Sequence, residues 1–312
     1  MNMPINTDPH KTLTEIFGRV NMSELPAMSE HVQQLIAVLN NGRATVQDIC
    51  EVILKDASLT TKLLQTANSA YYSRGVPITS ISRAVTALGL ATLKELAVTL
   101  ALFEDFLKAG VEREEISKLL AKCFLSATQA KILCKVKGIS IPEEDAFVCT
   151  LLHELGKIIV LVYLPELYRK AQELVDRGYS DEFAAKTVLN DLTFTMVGME
   201  IARFWNFSEK IILSMTDNPP APTSKRDTQL LLLNVAAFCN RLTWTICYGT
   251  DLDLAELLLH YGPILSISRE ESLALANKSA GFAENMSGII RFGLNRLDIR
   301  GRIARRANDS DA

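Results

Sequence analysis

Apolar residues recur at intervals of three and four along most of this chain, which is the spacing of one face of an α-helix. An early example follows Thr45 and Asp48, a pair that can form a capping box at a helix N-terminus. The apolar stripe beside that pair consists of Val46, Ile49, Val52 and Ile53. Strand-like alternation does not recur in the same way. The pattern therefore predicts an all-α protein.

Local signals predict where the next helices begin and end. The apolar stripe from Leu59 to Ala67 is followed by Asn68–Ser69, which is a typical helix end. Ser80 or Ser82 can cap the following helix, and Gly89 is placed to stop it. We therefore expect short helices that are joined tightly in this part of the chain.

A proline followed by acidic residues predicts a further helix with Pro142 at its first position. We expect this helix to carry His153–Glu154. Ser180 can cap another helix. The later helices are predicted at Phe183–Leu189, Phe194–Trp205, Leu230–Cys247, Leu252–Tyr261 and Glu270–Leu297.

The segment Asp217–Ser224 contains three prolines, which forbid regular helix and favour an extended spacer. We place the internal domain boundary there. The predicted division is an N-terminal segment at 1–19, a helical domain at 20–216, a linker at 217–227, a helical C-terminal subdomain at 228–300 and a disordered tail at 301–312.

Composition restricts the protein class. The chain is 48% hydrophobic and 22% charged, with 33 basic and 36 acidic side chains, so no global charge attracts nucleic acid or a membrane surface. Mean hydropathy is +0.14. The apolar runs fall short of the ~20 residues that a membrane span requires. The six cysteines lack Cys-x-x-Cys spacing, which favours buried thiols in a reducing, cytoplasmic protein.

His153–Glu154 pairs an imidazole with a carboxylate and resembles the remnant of a catalytic site. The chain has four histidines, and a hydrolytic metal centre needs several converging ligands together with an open position for water. We therefore favour His153 as a core histidine whose ring nitrogens find hydrogen-bond partners. Glu154 could hold a metal with Asp145, Asp191 or Asp217, but an ordinary ion pair with Lys157 is the simpler interpretation.

Two further groups are candidate interaction sites. Asn68, Tyr71, Tyr72 and Arg74 could form a partner surface. A helix end is the preferred explanation of Asn68, and a packed turn explains the other three residues equally well. The second group is the basic stretch from 291 to 306, in which a docked helix with a solvated arginine face competes with binding of an anionic partner. Its candidate contact residues are Arg296, Arg300, Arg302, Arg305 and Arg306.

Several motifs in one order resemble the HDOD domain, a bacterial signalling module related to HD phosphohydrolases. The matching segments are Leu25–Met28, Lys55–Leu64, Ala67–Tyr72, Ile78–Gly89, Leu151–Lys157 and Gly198–Phe207. The resemblance covers about 20–216 and implies an HD-like helical bundle, which would be followed here by a helical C-terminal extension. It also implies that the ancestral metal site bound the ion through an upstream histidine, a His-Asp pair and a later aspartate.

This chain departs from the ligand pattern that the resemblance implies. Glu154 replaces the aspartate of the pair, and Lys122–Cys123 stand where the upstream histidine is expected. We therefore expect a non-catalytic regulatory protein without a cofactor or metal, which binds a partner protein or a small ligand. The alternatives are a degenerate metal phosphohydrolase and nucleic-acid binding by the arginine-rich C-terminus. The phosphohydrolase would act on nucleotides or cyclic dinucleotides through His153, Glu154 and Asp191 or Asp217.

Overall fold

The computed structural model describes residues 34, 45–55, 57–68, 78–205, 207–224, 226–283 and 288–308. The described residues form sixteen helices and no strand, so the predicted all-α fold is confirmed. In chain order they are α1 (Val46–Leu54), α2 (Ala57–Ala67), α3 (Ile81–Leu88), α4 (Leu90–Ala109), α5 (Arg113–Lys137), α6 (Glu143–Leu151), α7 (Leu155–Tyr163), α8 (Pro165–Asp176), α9 (Asp181–Val188), α10 (Phe194–Phe204), α11 (Glu209–Leu213), α12 (Thr228–Tyr248), α13 (Asp251–Leu265), α14 (Arg269–Ala283), α15 (Gly288–Leu297) and α16 (Ile299–Asn308).

The short helices at the beginning form as their local signals predict. The Asp48 carboxylate accepts a hydrogen bond of 2.7 Å from the Thr45 amide, and the Thr45 hydroxyl in turn accepts one from the Asp48 amide, which completes the capping box. The Ser80 hydroxyl accepts a hydrogen bond from the Arg83 amide at the start of α3, and Gly89 ends this helix with a φ of 83°. The apolar stripe of α2 lies in the core.

Helix α5 is the centre of the fold. It packs against α6, α12, α14 and α15, and its buried residues occur on several faces, as expected for a helix surrounded by other helices. Helix α15 approaches it closely, because a Cβ atom at Gly293 would lie 2.2 Å from the Ser117 carbonyl oxygen. Helices from both sides of the proline-rich linker therefore share one core, and the division into domains stays a prediction.

The placement of His153 and Glu154 corrects one expectation. They do not continue the preceding helix: α6 ends at Leu151, and α7 begins at Leu155. The His153 amide donates to the Thr150 carbonyl oxygen at 3.3 Å, so the chain reverses in a tight turn. Pro142 is likewise the N-cap of α6 rather than its first helical residue.

A tertiary contact explains why the chain turns at this point. Helix α7 lies directly against α10, since a Cβ atom at Gly156 would be 1.8 Å from the Phe194 carbonyl oxygen and 2.6 Å from the Gly198 amide nitrogen. The turn and the Gly156–Gly198 contact together fix the position of the His-Glu pair.

The C-terminal region corrects one further expectation. Within the predicted helix at 270–297, the described residues form α14 and α15, both of which pack on α5, and residues 284–287 lie outside the described part of the chain. The prediction of a disordered tail is wrong for 301–308, which belong to α16. Ile299 and Ile303 are buried, so this helix is docked by apolar contacts.

Two stretches have the length and hydropathy of membrane spans, although the sequence pattern did not suggest any. They are Glu143–Tyr163, which contains the turn after α6, and Thr228–Tyr248, which is α12. Within the structure 78% and 83% of these windows are buried. Their apolar side chains therefore pack inside the fold, as those of core helices do.

Candidate functional site

A cavity of about 540 Å³ lies beside the turn that carries His153 and Glu154. Its walls also include the starts of α9 and α10, the first residues of the proline-rich linker, and parts of α12 and α13. Arg241 and Trp244 on α12 belong to the lining. Helices that follow the linker therefore help to form the site.

His153 is buried, with 3% of its side chain exposed. Neither ring nitrogen has a hydrogen-bond partner among the described residues, since the nearest carboxylate oxygen, Oε1 of Glu154, lies 3.8 Å from Nδ1. That distance is too long for a hydrogen bond. The core position is as expected, but the expectation that both nitrogens find partners is not met. The imidazole lies in the cavity wall, and neither of its ring nitrogens makes a hydrogen bond to the described residues.

Lys157 holds two carboxylates on the cavity side of α7. Its Nζ atom lies 3.1 Å from Oε2 of Glu154 and 2.6 Å from Oδ2 of Asp181. The ammonium group also lies 5.6 Å from the centroid of the Phe194 ring. The predicted pair of Glu154 and Lys157 is therefore present, and Asp181 from α9 is a partner that the sequence did not indicate.

Mutual attraction keeps this cluster ionised in spite of burial. Burial alone would raise the pKa of Glu154, but the Lys157 ammonium group, followed by His153 and Lys122, outweighs it and holds that pKa well below its ordinary value. Burial would likewise lower the pKa of Lys157, whereas Glu154 and Asp181 raise it. Glu154 and Lys157 are therefore both charged at neutral pH.

The spacing of the family motifs predicts the upstream metal-binding histidine near Lys122–Cys123. Lys122 projects from the central helix α5, and its ammonium group donates to the Tyr248 hydroxyl at 3.3 Å while lying 4.8 Å from the centroid of that ring. The neighbouring thiol does not replace the missing ligand, because burial, followed by the charge of Glu154, raises the pKa of Cys123 to about 12. The ammonium group of Lys122 is therefore a cation near the position at which a neutral nitrogen ligand would be expected to bind the metal.

The side chains present do not fit a divalent metal. No group of three or more His, Cys, Asp or Glu residues converges anywhere in the described ranges. Asp217 does line the same cavity as His153 and Glu154, but Asp145 and Asp191 do not. Asp145 is paired with Lys210 at 2.6 Å. Since Lys157 already neutralises the nearest carboxylates, a metal would have to displace an ammonium group.

The predicted surface near Asn68 is described in part. The Asn68 amide nitrogen donates to the carbonyl oxygens of Ile78 and Leu64 at 2.7 and 2.8 Å, and its oxygen accepts from the Ile78 amide at 2.7 Å. These bonds explain Asn68 as a structural link between α2 and the segment before α3. Its three proposed companions, Tyr71, Tyr72 and Arg74, lie outside the described residues.

The arginines of the C-terminal stretch do not form one surface. Arg306 is directed inward: its guanidinium group donates to the carbonyl oxygens of Ile246 and Thr245 at 2.9 and 2.8 Å, and also to that of Gly249. It thereby caps the end of α12. This anchoring explains why the predicted disorder is replaced by helix.

The other four arginines have contacts spread over different neighbours. Arg302 donates to the Leu297 carbonyl oxygen at 2.9 Å, and Arg305 pairs with Asp298 at 3.1 Å. Arg296 lies 3.7 Å from a Glu114 oxygen, and Arg300 also has an interaction within the fold. Whether these residues contact an anionic partner stays a prediction.

An HDOD domain model matches residues 25–218, well over half of the chain. The match includes the turn at His153–Glu154, all of α5, and the beginning of the linker. The fold and this match define an all-helical, HD-related class of protein. The chain belongs to the HDOD family.

Solved structures share this fold. A protein from Shewanella amazonensis SB2B, provisionally named a phosphohydrolase, aligns with a TM-score of 0.67 at 21% identity, covering 92% of this chain and 98% of that one. An HDOD domain protein of unknown function from Geobacter sulfurreducens aligns with a TM-score of 0.65 at 22% identity, covering 95% and 98%. At such identities the similarity establishes the fold alone.

A curated relative matches part of its own length. It is an uncharacterized protein of Treponema pallidum (strain Nichols), which is 24% identical over 235 residues. The match covers 75% of this chain and 45% of that protein. The chain therefore spans less than half of that relative.

Proposed function

We propose that this protein is a non-catalytic regulatory module that acts in the cytoplasm by binding a partner protein or a small ligand. The observation that carries the proposal is the pair of lysines at the HD position. Lys122 lies near the predicted position of the upstream histidine, and Lys157 binds both Glu154 and Asp181.

The physical argument is competition between cations. Hydrolysis by HD enzymes depends on a metal that polarises the substrate and activates water. Ammonium groups next to the carboxylate that would bind the ion repel a divalent cation, and repulsion is strong where water is largely excluded. A metal at Glu154 would also have to break two ion pairs of Lys157. The described side chains therefore favour binding over hydrolysis.

The alternative of a degenerate phosphohydrolase makes a distinct prediction. The purified full chain would be incubated with Mn²⁺ or Zn²⁺, freed of excess ion and tested for bound metal and for hydrolysis of bis(p-nitrophenyl) phosphate. We expect substoichiometric metal and no hydrolysis above that of His153→Ala. Stoichiometric metal together with hydrolysis that His153→Ala abolishes would refute the proposal.

A further inference from the structure

We propose that the cavity beside His153 binds a small organic cation with an apolar body, such as an amine or a quaternary ammonium compound. This inference rests on the proposed function, because a cavity that held a catalytic metal would take an anionic substrate instead. Three independent features support it: the charge of the lining, the aromatic walls and the unpartnered imidazole.

The lining is rich in carboxylates. Six acidic side chains and two permanently cationic ones border the cavity. The acidic residues are Glu154, Asp181, Glu182, Asp217, Asp253 and Glu256. This excess favours a cation and opposes a phosphate group.

Both cationic side chains of the lining are committed to contacts within the fold. Lys157 is bound to Glu154 and Asp181. Arg241 donates to the Asn218 side-chain oxygen at 3.2 Å and lies 5.9 Å from the centroid of the Tyr261 ring.

The carboxylates have partners within the fold as well: Glu182 pairs with Lys186, the Asp217 carboxylate accepts a hydrogen bond from Thr195, and Asp253 caps α13 together with Thr250. The cation preference therefore rests on the excess of six acidic over two cationic side chains in the lining.

Aromatic side chains belong to the lining of the cavity. Tyr179 stacks on Phe183 with centroids 4.8 Å apart, and Trp244 lies 6.2 Å from Tyr248. Tyr179 and Trp244 line the cavity although 49% and 39% of their surfaces are exposed. Phe194 adds a third ring. Exposed aromatic faces among carboxylates attract organic cations through the ring quadrupole, and ammonium compounds are well suited to such sites.

The imidazole of His153 is the third feature. It lies in the cavity wall with 6% of its surface exposed. Both of its ring nitrogens lack hydrogen-bond partners among the described residues. A buried polar group without a partner is costly, and such groups usually mark an interaction that an isolated chain does not provide. A hydroxyl or amine on the ligand can supply that partner after a small movement of the ring.

The size of the cavity limits the ligand. A volume of about 540 Å³ is that of a small-molecule site rather than a groove for a folded partner. A compound with one cationic head and a short apolar or hydroxylated body fills such a space. Larger polymers would be excluded.

Choline and its neutral isostere 3,3-dimethylbutanol test the charge requirement, and inorganic phosphate tests the opposite charge. The chain has two tryptophans, so a Trp205→Phe background leaves Trp244 as the fluorescent reporter in the cavity. We expect saturable quenching by choline, at least about 10-fold weaker binding of the isostere, and no binding of phosphate. Equal binding of the isostere, tighter binding of phosphate, or no choline binding up to about 10 mM would overturn the inference.

Matched glutamine variants locate the site. Glu256→Gln removes an exposed carboxylate of the lining and should weaken choline binding about 3-fold or more, whereas Glu144→Gln, on an exposed position away from the cavity, should leave it unchanged. Equal loss in both variants, or no loss in Glu256→Gln, would contradict the assigned site. Calorimetric titration with choline checks the fluorescence result.

The binding tests are run with a chelator present, apart from the metal assay. Absence of choline binding in a protein that neither retains metal nor hydrolyses the phosphodiester would remove this inference and leave the proposed function intact. Metal retention with hydrolysis would remove both.

Discussion

Two groups of basic residues, the arginines from 291 to 306 and the pair Lys122 and Lys157, differ in the contacts that they make in the fold. The arginines from 291 to 306 are close together in the chain, yet in the fold they contact separate neighbours, and Arg306 is directed at backbone carbonyl groups. Lys122 and Lys157 are far apart in sequence, yet both act on Glu154. Proximity in the chain therefore did not predict which cations act on a common group, because Lys122 and Lys157 are brought to Glu154 by tertiary contacts.

The turn region and the C-terminal region should respond very differently to an added methyl group. Gly156→Ala places a Cβ atom 1.8 Å from a backbone oxygen, so we expect a loss of about 3 kcal/mol or more in the free energy of unfolding. Gly281→Ala on α14 is the control, because its nearest neighbour would be the end of Arg300 at 3.6 Å. Urea unfolding should show no loss for this variant. Equal destabilisation would contradict the close packing of α7 on α10.

Lys157→Met tests whether the ion pairs of Lys157 stabilise the fold more than an exposed ion pair does. It leaves Glu154 and Asp181, which are partly buried, without their cation, and we expect a loss of about 2 kcal/mol. Lys186→Met breaks an exposed pair with Glu182 and should cost about 0.5 kcal/mol or less. Chemical denaturation of both variants measures the difference. Similar small losses would show that the Lys157 cluster is an ordinary surface pair.

Arg306→Ala tests the role of the C-terminal region as structure. Since the guanidinium group satisfies carbonyl oxygens at the end of α12 and is 12% exposed, its loss should cost about 1–2 kcal/mol. Arg305→Ala, in which a side chain 66% exposed is removed, should cost little. The ranking is read from thermal or urea midpoints. A larger effect of Arg305→Ala would contradict the assigned anchoring.

The pH dependence of stability gives a smaller and continuous signal from Glu154. Its pKa is lowered in the folded protein, so its stabilising contribution is complete above the unfolded value near 4.5 and is lost as pH falls below it. The stability difference between the protein and Glu154→Gln should therefore shrink by at most about 1.4 kcal/mol per pH unit below that value. A difference that is constant between about pH 5 and pH 3 would contradict the ion cluster.

Features that depend on nearby residues were predictable. The capping box of Thr45 and Asp48 and the buried stripe from Leu59 to Ala67 follow from side chains within one or two turns. The family motifs also predicted the HDOD fold, which the domain match over residues 25–218 confirms. The assignment of Lys122 to the position of a lost histidine stays a prediction.

Features that depend on distant contacts were not predictable in the same way. The break between α6 and α7 arises because Gly156 packs against the backbone of α10. The aromatic and arginine wall comes from α12, beyond the linker, so neither Trp244 nor Arg241 carried a sequence signal for the cavity. The helical end of the chain depends on Arg306 reaching residues near Gly249.

Restoration of metal ligands tests the central claim most directly. Lys122→His with Glu154→Asp supplies the two ligand types that the HD pattern requires and removes one cation, while Lys118→His with Glu154→Asp places the same histidine one turn earlier on α5. Elemental analysis after Mn²⁺ or Zn²⁺ loading should show little metal in the unaltered protein and in the Lys118 control, and a clear gain in the Lys122 variant. Stoichiometric metal in the unaltered protein would contradict the account.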